Sequence, residues 1–209
     1  MGSVHVVSHP LVQDKLSVMR SADTSVADFR RLLHETTLLL AYELTRDLPM
    51  REIAVSTPVA EGTFPALEER PITIVPILRA GLGMVDALLE LMPGARVGHI
   101  GLARDEKTHE PVEYYCNMPQ DVARSFVMLV DPMLATGGSA RDALRILKRQ
   151  GCEHLRMLNL LAAPEGIEAV QQAHPDVDIY VAAIDDGLNE RSYIVPGLGD
   201  AGDRVFGTL

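Results

Sequence analysis

A short apolar run, a loop of small residues and a helical pattern follow one another in residues 126–151, FVMLVDPMLATGGSARDALRILKRQG. The run Phe126–Val130 does not alternate with polar residues, which predicts a strand that is buried on both faces. Gly151 provides a stop for the helix that follows. The face that this helix is expected to turn toward the core contains Ala140, Ala143, Leu144 and Leu147.

The loop within this stretch has the features of a phosphate-binding site. Asp131 ends the strand, and Thr136, Gly137, Gly138 and Ser139 lead into the helix. Backbone N–H groups and the helix dipole favour an anion there, and the glycines allow it to approach the backbone closely. The alternative is an ordinary turn in which the glycines serve only the local geometry. Because the string is specific, we predict a phosphate site.

Strand and helix signals alternate along the rest of the chain, which predicts an α/β fold with a mainly parallel central sheet flanked by helices. We expect the 209 residues to form a single domain, with a helical arm at 1–50, an α/β core at 51–184 and a glycine-rich ending at 185–209. Ligands of such folds bind where the strands end. The predicted core elements are the strands Ile53–Ser56, Ile72–Leu78, Val97–Ala103, Phe126–Val130, Leu155–Leu161 and Ile179–Ile184 and the helix Pro164–Ala173.

The arm is predicted to be helical because Pro10 suits a first helical turn and Ser25-x-x-Asp28 is a capping signal. Placed before the first strand signal, it is interpreted as an addition to the core. Its broad apolar face serves either a subunit interface or packing on the core, and the sequence leaves both open.

Three stretches depart from simple strand and helix patterns. Residues 57–70 are interpreted as a loop because they contain glycine and proline. Pro76, inside an apolar strand signal, indicates an edge position or a bulge. The polar residues 105–120 surround a short strand signal at Tyr114-Tyr115 and are long enough for a mobile flap.

The charge balance argues against several classes of partner. The chain has 19 basic and 29 acidic residues, a formal net charge of −10, whereas general affinity for nucleic acid or an anionic membrane needs a basic surface. Cys116 and Cys152 form no disulfide or zinc pattern, so we expect a reducing compartment, the cytoplasm. No apolar run approaches the roughly 18 residues of a membrane span.

Two arginines follow predicted strands and are candidate anion ligands. Arg79 opens the turn Arg79–Gly83, and Arg104 follows the strand Val97–Ala103. A guanidinium group suits the geometry of phosphate oxygens, although both residues also fit as surface cations. The dinucleotide-binding pattern fails because Asp86 stands where its third glycine belongs.

The stretch Leu129–Ser139 resembles the phosphoribosyl-diphosphate signature of the type I phosphoribosyltransferases, and its Asp131-Pro132 form is typical of the uracil phosphoribosyltransferases. The ending Gly187–Arg204, GLNERSYIVPGLGDAGDR, is similar to the uracil-binding segment of that family. The helical arm and the turn Arg79–Gly83 match as well. The resemblance therefore covers nearly the whole chain.

The resemblance implies a site for phosphoribosyl diphosphate. Residues 135–139 would hold the 5-phosphate, and Asp131 would accept hydrogen bonds from the ribose hydroxyls. Arg79, Arg104 and Asp200 would have electrostatic and orienting roles in catalysis, and Lys107 on the flap is a further candidate. The implied ligands of this substrate are Arg79, Arg104, Asp131, Pro132, Met133, Leu134, Ala135, Thr136, Gly137, Gly138, Ser139 and Asp200.

The resemblance also implies how the base is read. The edge of uracil alternates acceptor, donor and acceptor, so backbone groups of a rigid loop can recognise it. Ile194, Gly199, Asp200 and Ala201 would contact the base. A fixed N–H opposite O4 would reject cytosine, which carries an amino donor there.

The implied reaction transfers phosphoribosyl to N1 of uracil and yields UMP and diphosphate. Mg2+ would be held through the substrate and water, with no direct protein ligand. A homodimer or larger homo-oligomer is implied, and whether GTP is an effector, as it is for some relatives, stays open. Three alternatives are a transferase for another base, a pyrimidine-responsive RNA-binding regulator, and a non-catalytic phosphosugar sensor.

Overall fold

The computed structural model describes residues 2–104 and 111–208, and for residues 104, 111 and 112 it describes the backbone alone. In chain order its elements are β1 (Val4–Val6), α1 (Pro10–Arg20), α2 (Val26–Leu44), β2 (Met50–Ser56), β3 (Glu61–Leu67), β4 (Ile72–Leu78), α3 (Leu82–Leu91), β5 (Arg96–Val97), β6 (His99–Arg104), β7 (Pro111–Asn117), β8 (Phe126–Val130), β9 (Met133–Leu134), α4 (Gly138–Arg149), β10 (His154–Ala162), α5 (Pro164–Ala173), β11 (Asp178–Ile184), β12 (Gly187–Leu188), β13 (Ile194–Val195) and α6 (Ala201–Phe206). A short 3-10 turn, Val122–Arg124, precedes β8.

Within the described residues, nine strands form the main sheet. Its path is β1-β11-β10-β8-β4-β6-β7, with β5 beside β4 and β9 beside β10. The pairs are parallel except for β6 and β7, which run antiparallel. The predicted α/β fold with a mainly parallel central sheet is confirmed.

Strand β8 lies at the centre of two hydrophobic clusters, one on each face of the sheet. Phe126, Met128 and Val130 pack with residues of α1, α2 and α3, whereas Val127 and Leu129 pack with residues of α4 and α5. Successive side chains of a strand point to opposite faces. Because helices cover both faces, every residue of this strand is apolar.

Local signals at the element ends are confirmed. Pro10 is the first residue of α1. Ser25 precedes α2, and its Oγ accepts the N–H of Asp28 at 3.1 Å. Gly151 follows α4 with φ 86°, the left-handed conformation that suits the residue after a helix.

The interpretation of residues 57–70 as a loop is wrong. Strand β3 lies within them and pairs antiparallel with β2 in a two-stranded sheet of its own. Its side chains are exposed or only half-buried. Because the hairpin stands apart from the main sheet, β3 lacks the apolar alternation by which a half-buried strand is recognised.

The interpretation of Pro76 as an edge or bulge residue is also wrong, because β4 is a central strand between β8 and β6. On one side, the pairing of β4 with β5 ends at Ile74 and its pairing with β6 begins at Ile77. On that side, the backbone hydrogen bonds between strands are interrupted between Ile74 and Ile77, where Pro76 lacks an N–H. This interruption explains why proline is tolerated there.

The helical arm is part of the core rather than an addition to it. Strand β1 precedes it and pairs in parallel with β11, which the sequence analysis missed. Leu16 of α1 and Phe29 and Leu33 of α2 are fully buried in one of the two clusters. Of the two interpretations of its apolar face, the structure supports packing on the core.

Candidate active site

The loops that follow β8 and β11 meet the turn between β4 and α3 at the carboxyl edge of the sheet, around a cavity of about 320 Å³. Larger clefts, of about 590 and 580 Å³, are lined by none of the predicted residues whose side chains the structure describes, so residue chemistry rather than size identifies the site. The predicted residues that line the smaller cavity are Asp131, Met133, Ala135, Ile194, Gly199, Asp200 and Ala201, and they are joined by Ala80, Arg191, Ser192, Tyr193 and Gly202.

The loop between β8 and α4 has the geometry of an anion-binding turn. Gly137 precedes α4 with φ 77°. A Cβ at this position would lie 2.8 Å from the carbonyl oxygen of Gly166, so glycine is required for conformation and for space. The N–H of Gly138 lies 3.4 Å from Thr136 Oγ1, and Ser139 is exposed. The N–H groups of the first helical turn have no intrahelical acceptor, so the loop can present donors to an anion.

Two of the predicted ligands support this loop from inside. Pro132 and Leu134 are buried. The carbonyl oxygen of Pro132 accepts the N–H groups of Leu160 and Leu161 at 2.9 and 3.0 Å, and that of Leu134 accepts the N–H of Ala163 at 2.9 Å. Their side chains therefore lie in the protein interior, and these residues fix the path of the loop.

Asp131 is fixed at the end of β8 by its backbone. Its N–H donates to the carbonyl oxygen of Leu158 at 3.2 Å, and its own carbonyl oxygen accepts Nδ2 of Asn159 at 2.6 Å. Burial raises the pKa of the Asp131 carboxyl, the N–H of Met133 opposes this rise and the charge of Asp200 adds to it, and the resulting pKa is about 7. About half of the carboxyl groups thus hold a proton at neutral pH unless a cation or a hydroxyl donor compensates the charge.

The turn after β4 brings a cation to the same edge. The Leu78–Arg79 peptide bond is cis. A Cβ at Gly81 would lie 2.5 Å from the carbonyl oxygen of Val130, so glycine allows the turn to pack against the end of β8. The Arg79 side chain is exposed, with Nη2 3.5 Å from Oδ1 of Asp203. A contact this long and this exposed leaves the guanidinium able to turn toward an anion.

Arg104 and Lys107 are described only in part. Arg104 is the last residue of β6, which lies beside β4, so its backbone reaches the same edge of the sheet. Its side chain and the whole of Lys107 lie outside the described residues, as do residues 105–110 of the predicted flap. The predicted short strand at Tyr114 and Tyr115 is confirmed as part of the longer strand β7.

The glycine-rich ending is an ordered wall of the cavity. Strands β12 and β13 form a small antiparallel hairpin, and α6 follows it. Ile194 is buried, and Gly199 adopts φ 82°. Asp200 caps α6, since its Oδ1 accepts the N–H of Asp203 at 2.9 Å, and Ala201 is the first residue of that helix. The four residues predicted at the base therefore lie together.

Arg204 anchors this ending, a role that the sequence analysis did not assign. Its Nη1 donates to the carbonyl oxygen of Leu198 at 2.8 Å and to that of Met19, and its Nη2 donates to that of Ser21 at 2.6 Å. The guanidinium carbon lies 4.5 Å from the ring centre of Phe29. Burial lowers the pKa of Arg204. Three carbonyl acceptors and an aromatic face together compensate this buried cation.

A second buried contact was also missed. Nη1 and Nη2 of Arg20 pair with the carboxylate of Asp185 at 2.7 and 2.6 Å. A signal for Asp185 exists in the sequence, because an acid ends a buried strand there as Asp131 does. Arg20 carries no local signal, since its partner lies 165 residues away.

In residues 2–104 and 111–208, no group of three or more His, Cys, Asp or Glu side chains could hold a metal ion. None of the helices in this part of the chain is long and apolar enough to cross a membrane.

Solved structures define the class. The AQ2163 protein from Aquifex aeolicus is 38% identical, superimposes with a TM-score of 0.91, and each chain is covered to 97%. A hypoxanthine-guanine phosphoribosyltransferase from Bacillus anthracis gives a TM-score of 0.53 over 77% of this chain and 80% of that one, and at 15% identity it informs the fold alone. The protein has the fold of the type I phosphoribosyltransferases.

Sequence comparison defines the family. The model of the uracil phosphoribosyltransferases matches residues 6–208. The uracil phosphoribosyltransferase of Clostridium perfringens is 58% identical over 208 residues, covering 100% of both chains. The chain therefore belongs to the uracil phosphoribosyltransferase family, and it is an enzyme.

Proposed function

We propose that the chain transfers the phosphoribosyl group of 5-phospho-α-D-ribose 1-diphosphate to N1 of uracil, giving UMP and diphosphate in pyrimidine salvage. Membership of the family and 58% identity along the full length to a curated relative support this reaction. The location of the site is supported by one observation: the residues predicted to bind the phosphosugar and the base line the same cavity at the carboxyl edge of the sheet, namely Asp131, Ala135, Ile194, Gly199, Asp200 and Ala201.

The roles of the residues follow from their chemistry. As the bond to diphosphate breaks, positive charge develops on the sugar and negative charge on the leaving group. Arg79 and Arg104 stabilise the leaving group, and residues 135–139 bind the 5-phosphate, chiefly through backbone N–H groups. Asp131 accepts hydrogen bonds from the ribose hydroxyls, and Asp200 orients the reacting sugar. Catalysis is then mainly orientation and charge stabilisation, and no nucleophilic side chain is required.

The residues present fit Mg2+ held through the substrate. Asp131 and Asp200 face the same cavity, and the charge of Asp200 contributes to the raised pKa of Asp131. A cation nearby would relieve this repulsion. Mg2+ commonly keeps water ligands and binds substrate phosphates, where it would neutralise the diphosphate charge. We assign it no direct protein ligand.

Further partners belong to the same proposal. We expect a homodimer or larger homo-oligomer in the cytoplasm and no nucleic-acid partner, which the net charge of −10 disfavours. GTP is a candidate effector on family grounds alone. Titration of GTP into the assay below decides whether it changes the rate.

Diphosphate release tests the reaction. The purified chain is mixed with phosphoribosyl diphosphate and uracil, cytosine, hypoxanthine or adenine, each with Mg2+ and with EDTA. We expect release with uracil and Mg2+ only, and recovery when Mg2+ is added back. Release with another base would change the assigned substrate. Binding of phosphoribosyl diphosphate without release would favour a sensor, and a salt-dependent gel shift with RNA would favour a regulator.

A further inference from the structure

The turn at the centre of the proposed base segment is held from both sides. Gly197 adopts φ 63°, and a Cβ there would lie 2.1 Å from the carbonyl oxygen of Ile194. Its N–H donates to Oδ2 of Asp185 at 2.8 Å, and its carbonyl oxygen accepts Nη1 of Arg20 at 2.8 Å. Because Asp185 and Arg20 are also paired with each other, the two side chains fix both backbone polar groups of this glycine.

We propose that Arg20 and Asp185 are positioning residues for the base: by fixing Gly197, they keep the backbone groups of residues 194–201 aimed at uracil. This inference rests on the proposed function, which assigns that segment to the base. Arg20 is the last residue of α1. The helical arm is thus a part of the base site, although it contributes nothing to the lining of the cavity.

The pair is built to stay charged and rigid. The Asp185 side chain is 5% exposed and that of Arg20 is 26% exposed. Burial pushes the pKa of Asp185 upward, but the hydrogen bonds from Arg20 and Gly197 leave that pKa below its ordinary value. A bidentate guanidinium–carboxylate pair has one favoured geometry, which a lysine at position 20 cannot reproduce.

Two ligands, one with the base and one without it, distinguish a role in positioning the base segment from a general loss of stability. UMP carries uracil on the phosphosugar, and ribose 5-phosphate lacks it. For Arg20→Lys and for Asp185→Asn, we expect the Kd of UMP in calorimetry to rise about tenfold, while that of ribose 5-phosphate stays within about twofold. In kinetics, the KM for uracil rises and the KM for phosphoribosyl diphosphate does not. Arg20→Lys keeps the positive charge, so it provides a milder test if Asp185→Asn does not fold.

Arg156→Lys is the matched control. Arg156 forms an equally bidentate pair with Asp47, at 2.6 and 2.9 Å, and its side chain is 14% exposed. It lies near the start of β10, at the opposite end of the sheet from the cavity. We expect this variant to melt earlier than the wild type without changing the ratio of the two dissociation constants.

Two results overturn the inference: unchanged UMP affinity in both variants, or equal weakening of UMP and ribose 5-phosphate. Gly199→Ala, within the base segment itself, separates this failure from a failure of the proposed function. If Gly199→Ala weakens UMP selectively and Arg20→Lys does not, only the positioning role is wrong. If the wild type neither binds UMP nor uses uracil, the proposed function is wrong as well.

Discussion

Asp131 destabilises the free protein when it ionises. Its pKa of about 7 in the folded protein lies above the ordinary value of 3.8, so the folded state binds the extra proton between these pH values. Stability therefore falls as pH rises through this window. We expect Asp131→Asn to be more stable than the wild type by on the order of 1–3 kcal/mol at about pH 8 and by little at about pH 4, as measured by urea unfolding.

The same variant should lose turnover, because an amide is a weaker acceptor than a carboxylate for ribose hydroxyls. Stability and activity would then change in opposite directions at one residue. A stability gain that is equal at both pH values would show that ionisation of Asp131 is not the cause.

Arg79→Ala is expected to lower activity while leaving stability nearly unchanged. The Arg79 side chain is 59% exposed and its ion pair with Asp203 is long, so Arg79→Ala should leave the melting temperature nearly unchanged. Loss of a cation at the leaving group should lower kcat/KM for phosphoribosyl diphosphate about 100-fold. Arg46, also 59% exposed and ion-paired, provides the control variant Arg46→Ala, which should keep full activity. Full turnover of Arg79→Ala would remove this residue from the site.

At the scale of single elements, the turn before α4 is the most sensitive to a single methyl group. An alanine at position 137 would have to adopt φ 77°, and its Cβ would lie 2.8 Å from the carbonyl oxygen of Gly166. Gly137→Ala should therefore lower the free energy of unfolding by about 1–3 kcal/mol and weaken binding of ribose 5-phosphate. At Gly94, a Cβ would meet nothing within 4 Å, so Gly94→Ala serves as the control. Guanidinium unfolding and calorimetry measure the two effects. Equal, small effects in both variants would contradict the tight fit of this turn.

Elements whose signals are local were predictable from the sequence. Strand β8 and helix α5 occur with the predicted bounds, because an unbroken apolar run marks the first and a proline at its first residue marks the second. The loop after β8 was identifiable for the same reason. Its acid, its glycines and its hydroxyls stand within nine consecutive residues, Asp131–Ser139.

Features that depend on distant partners were not predictable. Pro76 looked like an edge residue because the sequence of its own strand does not reveal that the strand paired with β4 changes from β5 to β6 near this residue. The hairpin β2–β3 lacked a burial pattern because its side chains are exposed or only half-buried against the described part of the chain. Arg20 looked like an ordinary helix-end cation, since its partner Asp185 is found only when the chain is folded.

At the scale of the whole molecule, the two halves of the site come from different parts of the chain. The proposed phosphate loop, Asp131–Ser139, runs from the end of β8 into the start of α4, and α5 supports it where Gly166 packs against Gly137. The end of α1 holds the proposed base segment. Arg20 donates to the carbonyl oxygen of Gly197, and the carbonyl oxygens of Met19 and Ser21 accept hydrogen bonds from Arg204, which follows the segment. We therefore expect substitutions in α1 to weaken binding of the base more than binding of the phosphosugar.

The hairpin β2–β3 is where we expect a second copy of the chain to bind. An isolated two-stranded hairpin is at best marginally stable in water, and this one exposes Met50, Val59, Phe64 and Leu67. Light scattering should show that Val59→Glu with Phe64→Glu lowers the molar mass of the oligomer. Leu11→Glu, at an exposed apolar residue of α1, should leave the mass unchanged. If Leu11→Glu alone dissociates the protein, the interface lies on the arm, and if the wild type is a monomer, the expected oligomer is wrong.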